Sequence, residues 1–205
     1  MPSDIRFGPP NKILMALGIL QGYLSHPWLF LGASLLTFPS FRRKIPEKFP
    51  REFVGQTAFP AWMYIRLKKQ VGQDTAYEII RAMILPIGLA LQQNNFHAAE
   101  QERTFRNLVQ AQKEMNKNGM TRWNVMKIEK ETDDTYEIKI THCMYHAFYK
   151  SLGIPEMTKM MCAVDNAVFN SYAPEGIVFH RKGIGNRIVD GSDACRMVLE
   201  NKMGK

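Results

Sequence analysis

From Ile13 to Phe38 the chain carries no formally charged residue, and an apolar run of that length has to be hidden from water. His26-Pro27 interrupts it. Proline ends the helix that would otherwise continue, which leaves two apolar pieces, each too short to cross a bilayer straight. Three arrangements follow: a kinked span, a helical hairpin lying in a membrane interface, or a helix pair packed on the rest of the protein. A secretory leader fits poorly. Asp4 opposes Arg6 and Lys12 in the region that should be basic, and no small-residue cleavage site precedes Phe41-Arg42-Arg43-Lys44.

Residues 39 to 59 hold Pro39, Pro46 and Pro50 with a basic cluster, Arg42, Arg43, Lys44, Lys48 and Arg51, and read as a linker or extended arm. The expected division is therefore 1–59, an apolar helical segment with a basic arm and possible membrane contact through 13–38, and 60–205, a folded domain. A length of 205 residues fits one cored domain with a helical appendage better than two domains. The net charge of +8 suits an anionic partner. Its distribution speaks against nucleic acid, because the bases cluster only after the apolar run and no reader motif is present, so a membrane surface is the better match. Thirteen methionines point to adaptable apolar surfaces, in a core or around a greasy ligand.

Further along, Ala61 to Val71 predicts a helix ending at Gly72. Asp74 or Thr75 can cap another through Gln93, bent at Pro86. A third, Ala98 to Asn118, sets Phe105, Leu108, Val109, Gln112 and Met115 on one stripe. Arg122 to Glu129 and Thr135 to His142 flank a polar tract and predict a β-hairpin. Helices near Met144 to Leu152 and Met157 to Tyr172 follow, then short strands at Ile177 to His180 and Arg187 to Val189. The order predicts an α+β fold, a helical N-terminal half packed with a small antiparallel sheet and two further helices.

Three cysteines, Cys143, Cys162 and Cys195, are an odd number, which excludes a complete disulfide framework and suggests a reducing, intracellular compartment. Taken singly, each is accounted for as a small buried hydrophobe. Together they stand at predicted element junctions, which favours one shared site. Cys143 falls where a strand gives way to a helix, where unsatisfied amides and the helix dipole should lower its pKa. Cys162 and Asp165 are three apart on a helix and share a face, so Asp165 can orient a water or take a proton beside the sulfur. Cys195 lies in the turn-rich Asp190-Gly191-Ser192-Asp193-Ala194-Cys195. The cysteine spacing matches no zinc or iron-sulfur motif, yet the three thiols with His142, His146 or Asp165 could make a four-ligand site, so zinc or an iron-sulfur cluster stays open as a cofactor. Arg181, at a strand end, can grip a substrate carboxylate or make a surface salt bridge. His26 and His97 read as packing or helix-surface residues, and Gly183-Ile184-Gly185-Asn186 as a turn, since it lacks the glycine pattern and following helix of a phosphate loop.

The ordered set Tyr136-Glu-Ile-Lys-Ile-Thr-His-Cys143-Met-Tyr145, Leu152-Gly-Ile-Pro-Glu156, Cys162-x-x-Asp165, Arg181 and Gly191-x-x-x-Cys195 resembles the L-2-amino-thiazoline-4-carboxylic acid hydrolase family over roughly residues 75 to 200. The resemblance implies a hydrolase that opens a cyclic S–C=N carbon with water, acting on a small molecule. Cys143 would be nucleophile or ligand, Asp165 would position water, Cys162 and Cys195 would be site partners, and Arg181, Tyr145 and His146 would hold substrate. Ala194 and Arg196 flank Cys195 where members often carry His before and an acidic or aromatic residue after. That difference and the apolar N-terminal run suggest a lipophilic substrate of secondary metabolism. The alternatives are a non-hydrolytic binder, cyclase or isomerase of an apolar molecule, or a Cys-ligated metal protein.

Overall fold

Proline decides how the first third of the chain is divided. The computed structural model describes residues 11–96, 102–183 and 185–202. Helix α1 (Lys12–Gln21) starts on Asn11, whose side chain accepts the amides of Ile13 and Leu14. Helix α2 (Pro27–Arg42) restarts after His26 with Pro27 in its first turn, where the missing N–H costs nothing. The break at His26-Pro27 is thus as expected. The kinked span is not: among the described residues no helix is long and apolar enough to cross a membrane.

The extended arm expected over 39–59 is corrected. Pro39 stands inside α2, Pro50 is the N-cap of α3 (Arg51–Val71), and Pro60 stands inside α3, so only residues 43–50 link the two helices and the boundary at 59/60 falls mid-helix. An interior proline costs about 3 kcal/mol. Along α3 it is outweighed by burial of Phe53, Val54, Ala58, Ala61, Met63, Tyr64 and Leu67 at helical spacing, each large side chain contributing roughly 1.5–3 kcal/mol. Gly72, at φ 81°, ends the helix in a backbone conformation that favours glycine.

Helix α4 (Gln73–Phe96) follows, with Pro86 inside it. Helix α5 (Phe105–Lys117) starts on Thr104, whose hydroxyl accepts the Asn107 amide at 3.2 Å. It begins later than expected: 102–104 are not helical, and residues 98–101 of the anticipated span, with His97, lie outside the described residues. Its stripe of Phe105, Leu108, Val109 and Gln112 is buried as expected. Strands β1 (Val125–Glu131) and β2 (Thr135–His142) form the hairpin, followed by helices α6 (Met144–Ser151) and α7 (Met157–Tyr172) and strand β3 (Ile177–His180).

Two expectations fail near the end. Residues 188–190 form a short 3-10 turn rather than a strand, because Arg187 and Asp190 pair across it and Gly191, at φ 95°, closes it. The final strand β4 (Cys195–Asn201) was hidden behind that turn-rich stretch. It lies between β2 and β3 in an antiparallel sheet of order β1-β2-β4-β3, with Cys195 opposite Ile140, Met197 opposite Ile138 and Leu199 opposite Tyr136. The fold is α+β, as the element order implied.

Two apolar cores result. One joins α1–α4 with α6 and the start of α7, and the other lies between the sheet, α5 and α7. Gly88 lets α4 close on α7, since a Cβ there would meet Val164 Cγ2 at 2.7 Å. Val164 is β-branched and stiff in a helix, so the gap depends on glycine. A thiol-lined cavity opens between α7 and the sheet.

Candidate functional site

Cys143 directly follows β2 and forms the N-cap of α6, where the chain is still extended (φ −103°, ψ 114°). The side-chain oxygen of Asn124 accepts the Met144 amide at 2.9 Å and so ties this corner to the start of β1. Cys162 and Asp165 project from one face of α7, as the spacing implied. Cys195 opens β4, and its sulfur accepts the Ile188 amide at 3.1 Å. All three cysteines are free, Cys162 and Cys195 are buried, and Cys143 is partly open.

These residues line one cavity of about 70 Å³, together with Tyr145, Arg181 and Asp165. Its remaining wall is largely apolar and methionine-rich, with Met115, Met161, Met197, Val164, Val168 and Phe169, while Gln112, Thr121, Asn124 and Thr158 supply polar points. About two waters fill such a volume. A five-membered ring with a carboxylate is larger, so its entry requires the flexible methionines to yield. Larger surface clefts near Arg66 and near Glu156 hold no cysteine.

Arg181 follows β3 and points its Nη2 at Asp165 Oδ2, 3.3 Å away, with its Nε 3.4 Å from Asn166 Oδ1 and its guanidinium 5.1 Å from the Phe179 ring centre. Its side chain is only 10% exposed, so the surface-salt-bridge reading is corrected to a largely buried pair. A third of the Asp165 side chain is accessible, yet its carboxylate lies deep among protein atoms, because the surface it shows is cavity wall rather than bulk solvent. Burial raises the Asp165 pKa, and Arg181 offsets part of that rise.

The thiols are not acidified. Burial pushes Cys143 up to about 11, with Cys195 and Asp165 acting in the same direction. The amides of His146 and Tyr145 pull the other way without closing a capping hydrogen bond onto the sulfur. Burial, then Asp165, pushes Cys162 up to about 12 against Arg181 and Arg187, and burial also raises Cys195. The lowered pKa expected for Cys143 from its helix terminus is therefore corrected: desolvation outweighs the end of a short helix. These mutual influences also show that the three thiols and Asp165 share one electrostatic neighbourhood.

A pH dependence of stability follows. A thiol whose folded pKa lies above its free value leaves the native state binding more protons than the unfolded chain once pH passes about 9. Stability should then fall as pH rises from about 9 towards 11–12, by at most about 3 kcal/mol for Cys143 and about 4 kcal/mol for Cys162. Denaturant titrations across that range check this, and Cys162→Ala should flatten the slope.

His146, expected to hold substrate, does not line the cavity. Its Nδ1 lies 3.4 Å from the Thr158 hydroxyl, and burial, then Lys150, lowers its pKa. His142 is exposed where β2 ends. Among the described residues no three His, Cys, Asp or Glu side chains stand close enough to hold a metal ion. Asn124 and Arg187 were missed from sequence. Arg187 pairs with Asp190 (Nη2 to Oδ1, 2.9 Å) beside Cys162, and its i,i+3 spacing from Asp190 was the available signal. Nothing in the sequence marked Asn124.

The fold and the cavity define a small α+β protein with a thiol-lined chamber holding a buried carboxylate–guanidinium pair. The family model for L-2-amino-thiazoline-4-carboxylic acid hydrolase matches residues 53–199, and the chain belongs to that family. The match covers the whole chamber and leaves α1 and α2 outside it. No curated protein matches the chain, and neither does any solved structure.

Proposed function

We propose that the chamber hydrolyses a thiazoline-type cyclic amidine, with Cys143 as nucleophile. The observation that carries this is the meeting of Cys143, Asp165 and Arg181 on one cavity in a chain of this hydrolase family. Cys143 is the most open of the three thiols. With its pKa near 11 it is a thiol at neutral pH, so a base has to act with it, and Asp165 is the carboxylate at hand.

Arg181 pairs with the substrate carboxylate, which frees Asp165 to accept the Cys143 proton as sulfur bonds to the S–C=N carbon. The ring C–S bond breaks, and Asp165 returns the proton to the departing substrate sulfur. Water then adds to the carbon of the S-linked adduct. The C–S bond to Cys143 breaks, the Cys143 thiol is restored through Asp165, and the product is a carbamoyl amine carrying a new free thiol. Cys162 and Cys195 shape the chamber, and its methionine wall suits apolar substituents on the ring.

Incubation with L-2-amino-thiazoline-4-carboxylate, and with thiazolines bearing apolar substituents, should release one thiol per turnover and a product heavier than the substrate by one water. A thiol reagent and mass spectrometry read both. A product of unchanged mass would replace hydrolysis by the isomerase or cyclase reading.

A further inference from the structure

The α1–α2 hairpin gives one face to the core and leaves the other uncovered. Leu17, Leu20, Phe30 and Leu31 are buried, whereas Ile13, Leu14, Trp28, Leu29, Leu35 and Leu36 are exposed, Leu29 at 70% and Leu36 at 84%. Successive helical residues advance by about 100°, so Trp28, Leu29, Leu35 and Leu36 share one arc of α2, opposite Phe30 and Ser34. Arg42 and Arg43 return to that same arc at the helix end.

Lys44, Lys48 and Arg51 extend the basic patch, with Glu47 the one acid among them. None of these five cations pairs with an acid among the described residues. From Asn11 to Pro46 there is no acidic residue at all. An uncovered leucine and tryptophan face beside unpaired cations is the composition of an interfacial helix on anionic lipid.

We propose that this face is the protein's contact with an anionic bilayer. The hairpin lies flat, with Trp28, Leu29, Leu35 and Leu36 among the acyl chains below the headgroups and Arg42, Arg43 and Lys44 on lipid phosphates. Length requires the flat orientation: the 16 residues of α2 extend about 24 Å, short of the ~30 Å hydrocarbon core. A second copy of the chain is the less suitable cover. Twofold pairing of the same faces offers these cations no counter-charge, because residues 11–46 of either copy hold no acid.

The test is sedimentation of the full chain with sucrose-loaded vesicles. It should pellet with mixed phosphatidylcholine–phosphatidylglycerol vesicles, much less with phosphatidylcholine alone, and less as salt is raised. Each cation removed should lower partition about fivefold, so Arg42→Gln/Arg43→Gln/Lys44→Gln should lower it on the order of a hundredfold. Leu29→Gln/Leu36→Gln, at exposed positions outside the thiol chamber, should lower it more than tenfold while leaving circular dichroism unchanged. Wild type remaining in the supernatant with anionic vesicles overturns the proposal, as does either variant binding like wild type. A wild-type dimer that Leu29→Gln/Leu36→Gln converts to monomer, without vesicle binding, assigns the face to a second copy and overturns it as well.

Discussion

Replacing Cys143 with serine should lower thiazoline turnover by at least about a thousandfold while the protein stays folded. Serine at this position keeps the chain geometry, since Cys143 is an N-cap and a hydroxyl is a favoured capping group. The amides of Tyr145 and His146 already face the side chain. Thermal stability should therefore be retained or rise by about 0.5–1 kcal/mol. Turnover fails for a separate reason: Asp165 cannot readily take a proton from an alcohol, so the nucleophile is not formed. Steady-state rates and thermal denaturation of the same preparation separate the two effects. Cys162→Ala and Cys195→Ala should cost far less turnover. If Cys195→Ala silences the protein and Cys143→Ser does not, the nucleophile has been assigned to the wrong sulfur.

Asp165→Asn should act on both chemistry and stability. Loss of the base is expected to cost about a hundredfold to ten-thousandfold in turnover. The same change leaves Arg181, 10% exposed, without its carboxylate. Stranding a buried charge is costly, and the opening of Asp165 onto the cavity reduces the penalty to about 2 kcal/mol, read as a lower urea midpoint. Adding Arg181→Met removes the stranded charge, so the double variant should regain stability yet remain inactive. Recovery of turnover in the double variant would show that Asp165 serves only to neutralise Arg181.

Much of this site could be read from the sequence, and the misreadings have physical causes. Cys162 and Asp165 share a helix face because spacing alone determines that, and α7 spans the expected residues. Cys143 sits at the strand-to-helix corner that local patterning implied. Its acidity was misjudged because the helix terminus is local, whereas burial depends on α7 and β4 arriving from elsewhere in the chain. Cys195 was placed in a turn because Asp190, Gly191, Ser192 and Asp193 dominate the local signal. Its strand forms by pairing with β2 and β3, and Arg196 is held there by Glu129 and the buried Glu137.

The N-terminal region shows the opposite case, local signals overruled by packing. Pro39, Pro46 and Pro50 suggested an arm, while the periodic burial of Phe53, Val54, Ala58, Ala61, Tyr64 and Leu67 was present in the overlapping residues and prevailed. The uncharged run was expected either to meet a membrane or to pack on the domain. One side of each helix does pack, and the other carries the exposed apolar face. His146 enters the candidate site as an alternative metal ligand and, through the resemblance, as a substrate contact. Its Nδ1 lies 3.4 Å from the Thr158 hydroxyl instead, a contact with α7 that local spacing does not reveal.

In the proposed reaction the Cys143 sulfur bonds to the amidine carbon of the substrate. Mass spectrometry of wild-type protein, acid-quenched at successive times during turnover, tests it most directly. The predicted result is a peptide containing Cys143 that carries the mass of the intact substrate, appearing together with the first thiol released. Complete turnover with Cys143 unmodified at every quench time would contradict it.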